Sequence, residues 1–474
     1  MQKPAGQVSP ALVAPHVGGA LLGGCQRSRA LETAPARRPN VVVILADDMG
    51  YGDPASFNAD SRIPTPHIDR LAEEGTRFTD AHAPGAWCVP SRYGLLTGRY
   101  PCRKGAFRPG EKPVVAAERA TLASFLKDEG YRTAMVGKWH LGFEGGPRGG
   151  VPLRGGPLDR GFDSFFGIHA SLDIPPYFYI RDRRPVAVPS GTVEASGTEG
   201  WTNIQGAFWR EGGLAPGFAH ADVRTRFESE AVRVLQEHDG DEPLFLYVAL
   251  ASPHTPWLPS RTGRSGAEMY GDFVADVDDT VGAIVAAADA RGEETLVVFT
   301  SDNGPVWYPP DVARTGHAST GPYRGMKSDS WEGGHRMPFI ARWRGRVPAG
   351  GRSDQLLCFT DLFATLAGVL GAEPPAGAAV DSLSFLPSLL DPGAASTRRS
   401  LVLKANGSVV REGRWKLIDH LGSGGFSRPR RVDGEGGQLY DLELDPGETT
   451  NLWSERPDRV AQLLALREAE LARE

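Results

Sequence analysis

Cysteine is scarce in this 474-residue chain, which has only four cysteines and neither a CxxC pair nor zinc-finger spacing. The sequence therefore indicates neither a disulfide framework nor a structural zinc site. It also lacks a long Lys/Arg block and has a formal net charge of −6. Because nucleic acids and anionic membranes bind clustered cations, neither is an expected partner. No apolar run reaches the ~18 residues of a membrane span.

The N-terminal segment, residues 1–38, has no clear periodicity. Its mildly apolar stretch from Ala11 to Leu22 leads into Cys25 and resembles a bacterial lipoprotein cleavage box, although a proline and a histidine interrupt it. Two interpretations stay open: an export or lipoprotein signal with a lipid anchor at Cys25, or an extension with a chance cysteine. The first predicts a periplasmic or extracellular protein, and the second leaves the cytoplasm open.

The length exceeds the ~250 to 300 residues at which one hydrophobic core stops growing, so we expect a large domain and a smaller one. Hydrophobic residues make up 40% and charged residues 23% of the chain, as in ordinary globular proteins. After Leu390, short apolar segments are followed by a helical segment from Pro457. We predict an extension over 1–38, a catalytic domain over 39–390 and a C-terminal subdomain over 391–474.

Continuous apolar runs predict the main sheet. The first spans Asn40 to Ala46 without alternation, which is typical of a parallel strand buried on both faces, and it ends in Asp47 and Asp48. Three further runs also end in polar residues, namely 131–136, 244–250 and 296–300. Since ligands of open α/β sheets bind beyond the carboxyl ends of the strands, we expect these polar residues to form one site.

Amphipathic segments between these runs predict helices. One begins at Thr65 and Pro66, which suit an N-cap and a first helical position, and it ends at Gly75. The alternation of strands and helices predicts an α/β fold with a large, mostly parallel sheet flanked by helices. The C-terminal segments predict a small antiparallel sheet with one helix.

The segment CVPSRYGLLTGR begins at Cys88, and its Pro90 suits the first turn of a helix. The N-terminus of that helix would favour an anion at residue 88. The segment resembles the C-x-P-S-R signature of type I sulfatases, and GYRTAMVGKWHLG resembles their second signature. The similarity extends from Pro39 to Asn451 and includes ADDMGYGD, SPHTPW and TSDNG. It implies a fold like that of alkaline phosphatase.

The resemblance also implies a metal site. Four residues match the metal ligands of the family: Asp47, Asp48, Asp302 and Asn303. Residue 88 is predicted as a further ligand of the same metal. Hard oxygen ligands favour Ca²⁺ or Mg²⁺, and a crowded acidic set fits Ca²⁺ better.

Cys88 matches the position that a maturation enzyme, either the formylglycine-generating or the anaerobic type, converts to formylglycine. Its hydrated aldehyde has two hydroxyls on one carbon. In the family mechanism, one hydroxyl loses its proton to a carboxylate such as Asp302 and attacks sulfur. His254 then matches the acid that protonates the departing alcohol, and His140 the base that acts on the second hydroxyl.

Further residues match the substrate pocket of the family. Arg92, Lys138 and Lys327 would stabilise the charge on the three sulfuryl oxygens. Ser171 resembles a sulfate-binding serine, and His317 and His335 flank Lys327 in the sequence. We predict that these three bind substrate, with a purely structural role as the alternative.

The predicted function is therefore hydrolysis of a sulfate ester, in an aryl sulfate or a sulfated glycan. Two alternatives are a phosphodiester or phosphonate monoester hydrolase of the same superfamily and a silent binding protein in which Cys88 is never converted. The GKWHLG segment and Lys327 favour sulfate. A silent relative should have lost some of the expected residues, and all of them are present.

Overall fold

The computed structural model describes residues 38–105, 107, 112–147 and 152–473. The predicted signal and the candidate anchor at Cys25 lie outside these residues. Within the described part of the chain, no helix is both long and apolar enough to cross a membrane. The chain from Arg38 onward forms one compact unit, and the predicted boundary after residue 390 stays a prediction.

Eighteen strands are formed by the described residues. In chain order they are β1 (Asn40–Asp47), β2 (Thr76–Phe78), β3 (Ala81–His82), β4 (Arg132–Lys138), β5 (Ser164–Ile168), β6 (Ile180–Arg181), β7 (Arg184–Pro185), β8 (Gly191–Val193), β9 (Gly212–Leu214), β10 (Leu244–Pro253), β11 (Thr295–Ser301), β12 (Phe339–Trp343), β13 (Gly351–Ser353), β14 (Leu357–Cys358), β15 (Ser400–Lys404), β16 (Ser408–Glu412), β17 (Trp415–Ile418) and β18 (Gln438–Asp441).

Ten α-helices alternate with these strands in the same part of the chain. They are α1 (Pro66–Glu74), α2 (Cys88–Thr97), α3 (Leu122–Asp128), α4 (Val223–Glu237), α5 (Glu268–Ala290), α6 (Pro309–Thr315), α7 (Glu332–His335), α8 (Asp361–Leu370), α9 (Leu386–Leu390) and α10 (Pro457–Ala472).

The main sheet has ten strands in the order β13-β2-β12-β11-β1-β10-β4-β5-β6-β7. Its five central strands, β11, β1, β10, β4 and β5, run parallel. Every residue of β1, β10 and β11 is buried, because helices cover both faces of the sheet. This arrangement confirms the predicted α/β fold and explains why these strands are apolar without alternation.

Three of the parallel strands, β1, β10 and β11, end at the same edge of the sheet. Ala46 of β1 pairs with Ser301 of β11, and Asp47 pairs with Pro253 of β10. The backbone N–H of Asp302 donates to the carbonyl of Ala46 at 3.0 Å. The register therefore brings the polar residues after β1, β10 and β11 together, as the sequence predicted.

The C-terminal sheet, β15-β16-β17-β18, is antiparallel and packs against α10. This confirms the predicted small sheet with one helix. Its first strand also supports the loop before α2, since the N–H of Ala86 donates to the carbonyl of Lys404 at 2.9 Å. The N–H of Lys404 donates in turn to the carbonyl of Pro84 at 2.9 Å. The C-terminal sheet thus holds the segment that leads to Cys88.

Candidate active site

Cys88 is the first residue of α2, a helix in which every residue is buried. A side chain at Gly85 would come within 2.7 Å of Pro90, so only glycine lets the preceding loop approach the helix this closely. The Cys88 thiol donates to Asp47 Oδ1 at 3.4 Å, and Lys327 Nζ lies 3.5 Å from Cys88 Sγ. Residue 88 therefore lies between a carboxylate and an ammonium group at the edge of the sheet.

The carboxylates after β1 and β11 converge beside Cys88. Asp48 has a left-handed backbone with φ of 66°, which turns the chain at the end of β1. Its N–H donates to Asp302 Oδ1 at 3.2 Å, and its Oδ1 accepts from Asn303 Nδ2 at 2.6 Å. One ligand atom from each of Asp47, Asp48, Cys88 and His254 lies within 4.8 Å of the others.

The four predicted metal ligands, Asp47, Asp48, Asp302 and Asn303, carry donor atoms that suit a hard divalent cation. Three carboxylates and one amide supply oxygen atoms, as Ca²⁺ and Mg²⁺ require. Asn303 Oδ1 is buried and has no hydrogen-bond partner among the described residues. A buried amide oxygen without a partner is costly, and Asn303 Oδ1 is thus available as a metal ligand. The residues present therefore fit a metal.

Three buried cations surround the carboxylates. Arg92 Nη2 lies 2.8 Å from Asp302 Oδ2 and 3.6 Å from Asp47 Oδ2, while Arg92 Nη1 donates to the carbonyl of Lys138 at 2.9 Å. Lys138 Nζ donates to Asp47 Oδ2 at 2.5 Å. Lys327 Nζ donates to both carboxylate oxygens of Asp48, at 2.6 and 2.7 Å.

The two neighbouring carboxylates differ in their affinity for protons. Burial and the adjacent Asp47 raise the pKa of Asp302 to about 7, against the opposing effect of Arg92. Burial would also raise the pKa of Asp47, but Lys138, His254 and Arg92 together hold that pKa well below its usual value. Asp47 is therefore ionised, and the crowding of negative charge appears as a raised pKa at Asp302.

Two histidines reach the same place from β4 and β10. His140 has φ of 56°, and its Nδ1 is buried without a partner among the described residues. Burial, together with the charges of Lys138 and Arg92, lowers the pKa of His140 well below its usual value. His254 Nδ1 donates to the carbonyl of Thr255 at 2.7 Å, and its Nε2 lies 3.6 Å from Asp48 Oδ2.

A cavity of about 300 Å³ opens onto Cys88. The residues that line it include four predicted site residues besides Cys88, and the whole set is Trp87, Cys88, His140, Ser171, Asp173, Ile174, His254, Lys327, Ser328, Asn406, Phe426 and Arg430. The predicted metal ligands, with Arg92 and Lys138, are buried beside it. The structure thus brings nearly all of the predicted residues to one site.

Residues 39–372 match the model of a protein family described as Sulfatase. The chain belongs to this family. It is therefore a sulfuric ester hydrolase.

Two relatives are similar to this sulfatase over most of its sequence. It is 33% identical to N-acetylgalactosamine-6-O-sulfatase of Bacteroides thetaiotaomicron, over 95% of this chain and 96% of the relative. It is 34% identical to arylsulfatase A of Homo sapiens, over 88% of this chain and 84% of the relative. The family resemblance inferred from the two signatures is thus confirmed.

Solved structures agree with the fold. One comes from work on the metabolism of multiple glycosaminoglycans by Bacteroides thetaiotaomicron, with a TM-score of 0.83 and 31% identity, and covers 92% of this chain and 100% of its own. A sulfatase from Pseudoalteromonas sp. has a TM-score of 0.74 and 27% identity, over 92% of this chain and 90% of its own.

The structure of the sulfatase does not bring His317 and His335 to the cavity, in contrast to the sequence-based expectation. Both rings are fully buried. His317 Nε2 is hydrogen-bonded to Asp53 Oδ1 at 2.8 Å. His335 Nδ1 lies 3.0 Å from His82 Nδ1, and its Nε2 lies 3.2 Å from Lys416 Nζ. Although both histidines are close to Lys327 in the sequence, their rings do not face the cavity, because each ring is hydrogen-bonded within a buried polar network.

Several residues that line the cavity escaped the sequence analysis. Trp87 and Ser328 adjoin predicted residues in the chain, so their positions could have been inferred. Asn406, Phe426 and Arg430 come from loops of the C-terminal sheet, which has no recognised site motif. The packing of β15 against the loop before α2 and the hydrogen bonds of Ser423 and Ser427 with Ser330 and Asp329, respectively, explain their presence here.

Proposed function

We propose that this sulfatase hydrolyses the sulfate ester of a sulfated carbohydrate, using a formylglycine made from Cys88 and a bound Ca²⁺ ion. Four residues would hold the ion: Asp47, Asp48, Asp302 and Asn303. The observation that supports this most is the position of Cys88 Sγ, 3.4 Å from Asp47 Oδ1 and 3.5 Å from Lys327 Nζ. In the mature enzyme, the aldehyde-derived oxygens would take the place of that sulfur.

The protein environment disfavours Cys88 as a thiolate nucleophile. Burial and the charge of Asp47 raise the pKa of its thiol well above the usual value, although Lys138 and Lys327 oppose them. A neutral, buried thiol is a poor nucleophile. Conversion by a maturation enzyme, which we infer as a partner, replaces the thiol with a group suited to the site. When present, the hydrated aldehyde supplies hydroxyl groups on one carbon and Ca²⁺ neutralises charge on a sulfate oxygen.

The fixed cations of the chain would hold the sulfate. Lys327 lines the cavity, and Lys138 and Arg92 lie behind Cys88 in contact with Asp47 and Asp302. A sulfuryl group in transfer spreads negative charge over three oxygens, so positive groups that are already in place stabilise its transition state. Ser171 lines the same cavity and would donate its hydroxyl to the sulfate.

The two histidines have environments that suit opposite roles. A lowered pKa keeps His140 neutral, so its unpartnered Nδ1 can accept a proton. His254 Nδ1–H is committed to the carbonyl of Thr255, which leaves Nε2 to carry a proton to the departing alcohol. We therefore assign His140 as the base and His254 as the general acid.

The substrate class follows from the relatives. The relative that matches nearly the whole chain is named for N-acetylgalactosamine-6-O-sulfate hydrolysis. A 6-sulfated N-acetylgalactosamine is thus the first substrate to test. A panel of that sugar, 4-nitrophenyl sulfate and a phosphodiester, assayed with fully matured enzyme, tests the proposal. Hydrolysis of the phosphodiester in preference to both sulfates would contradict it.

His254→Ala should slow hydrolysis of the sugar sulfate at least about 10²-fold more than hydrolysis of 4-nitrophenyl sulfate. A sugar alkoxide leaves poorly without a proton, whereas the activated phenolate leaves unaided. Steady-state kcat on the two substrates measures the difference, with the exposed His67→Ala as the matched control. Equal losses on both substrates, with chemistry rate-limiting, would remove His254 from the acid role.

A further inference from the structure

Asp173 is a carboxylate in the cavity to which the reaction gives no role. It lies in the loop after β5, is only 5% exposed, and lines the cavity with Ser171. Arg210 Nη1 donates to Asp173 Oδ2 and also, at 3.0 Å, to the backbone carbonyl of Asp173. Asp173 Oδ1 is buried and has no hydrogen-bond partner within the described part of the chain.

The hydrogen bond from Arg210 orients the Asp173 carboxylate and leaves Asp173 Oδ1 without a hydrogen-bond partner among the described residues. The Arg210 guanidinium lies 5.2 Å from the ring centre of Phe208, within range of a cation–π interaction. A buried carboxylate oxygen without a partner loses the hydrogen bonds that it makes with water in the unfolded chain, and this loss destabilises the folded protein. Arg210 holds Oδ2, Oδ1 is the carboxylate oxygen without a partner in this part of the chain, and Asp173 is one of the residues that line the cavity. A carboxylate accepts hydrogen bonds, so a ligand group that binds it is a donor.

The other residues that line the cavity indicate which kind of ligand would supply the hydrogen-bond donor to Asp173. Among the described residues that line it, Asp173 is the one carboxylate, while the cations Lys327 and Arg430 suit the sulfate or other anions. A volume of about 300 Å³ is at the lower end for small-molecule sites and suits one sugar ring with its sulfate. The hydroxyls of such a ring are donors, which a simple aryl sulfate lacks.

We propose that Asp173 is a specificity-determining residue, whose carboxylate accepts a hydrogen bond from a hydroxyl of the sugar ring that bears the sulfate. This inference rests on the proposed function, since it requires a sulfated carbohydrate as substrate. Arg210 acts as a positioning residue that orients the carboxylate. The enzyme would thereby favour a sugar sulfate over an aryl sulfate whose leaving group is chemically better.

The test compares Asp173→Ala and Asp173→Asn in fully matured enzyme, with 6-sulfated N-acetylgalactosamine and 4-nitrophenyl sulfate. A hydrogen bond to a charged group predicts a loss in kcat/KM of about 10- to 100-fold on the sugar and a much smaller loss on the aryl sulfate. Asparagine should restore only part of the activity. Its amide oxygen must face the Arg210 donor, so its N–H donates to the sugar hydroxyl and a neutral hydrogen bond replaces the charge-assisted one.

Deoxy analogues of the sugar sulfate test the same contact from the substrate side. With the unmodified enzyme, removal of the bonded hydroxyl from the sugar should lower kcat/KM by the same factor as Asp173→Ala does on the parent sugar. With Asp173→Ala, the analogue and the parent sugar should have the same kcat/KM. Asp159→Asn, which removes a carboxylate paired with Arg183 outside the cavity, is the matched control for a lost ion pair.

The outcomes separate this inference from the proposed function. If the matured enzyme hydrolyses neither sulfate, or only the aryl sulfate, the proposed function fails and the inference fails with it. If it hydrolyses both and Asp173→Ala lowers both activities equally, the role of Asp173 is contradicted while the proposed function stands. If no deoxy analogue reacts more slowly than the parent sugar with the unmodified enzyme, the inference is overturned whether or not the variants fold.

Discussion

Cys88→Ala should lower kcat by at least about 10⁴-fold on every sulfate ester, because it removes the side chain that becomes the nucleophile in the proposed mechanism. The loss should be similar for sugar and aryl sulfates, since nucleophilic attack on sulfur is common to both. Steady-state assays of purified, matured enzyme measure it. The alanine fits the space of the thiol, so the fold should persist.

Cys102→Ala is the matched control for this variant. Cys102 is half-buried, contacts the cluster formed by the C-terminal strands, and is absent from the cavity lining. Its replacement should leave kcat unchanged within a factor of about two. An active Cys88→Ala variant, with activity near that of Cys102→Ala, would rule out residue 88 as the nucleophile.

Removal of Ca²⁺ by a chelator should lower activity by about 10⁴-fold, because a divalent cation supplies several kcal/mol of charge stabilisation to the transition state. Activity should return with Ca²⁺ more fully than with Mg²⁺, since a crowded acidic set suits the larger ion. The pre-formed complex of Ca²⁺ with the chelator is the control. Full activity after exhaustive chelation would contradict a metal-dependent reaction.

The same metal should also stabilise the fold. A ligand present at 100 times its Kd adds about 2.7 kcal/mol to the free energy of unfolding, and Ca²⁺ should therefore raise Tm. In Asp48→Ala this rise should vanish, because the variant loses two candidate ligand oxygens and the acceptor of Lys327. Asp159→Ala should retain it. A Ca²⁺-dependent Tm that Asp48→Ala leaves intact would place the ion elsewhere.

Much of this site could be predicted from the sequence because it lies at strand ends. The run over 40–46 identified β1, and the positions after it followed from the rule that parallel strands end at one edge of the sheet. Asp47 and Asp302 accordingly both lie near Arg92, with carboxylate oxygens at 3.6 and 2.8 Å from its Nη2. The strand pattern predicted that these residues meet at one site, and the family resemblance identified them as metal ligands.

The rest depended on tertiary packing that local patterns do not encode. His335 lies eight positions after Lys327 in the chain, yet its ring faces His82 and Lys416. Asp173 has no motif, and its role appears only when Arg210, 37 positions away, is found to hold one of its oxygens. Residues that recognise the alcohol part of the sulfate ester lie on irregular loops, which carry no shared motif. The sequence therefore predicted the reaction better than the substrate.

The conversion of Cys88 is tested most directly by mass spectrometry of the tryptic peptide Phe78–Arg92 from active enzyme. Alkylation would label a free thiol, and an aminooxy reagent would label an aldehyde. The proposed mechanism predicts that the aminooxy adduct forms at residue 88 and that its fraction rises in proportion to kcat across preparations with different extents of maturation. A fully alkylated thiol at Cys88 in fully active enzyme would contradict it.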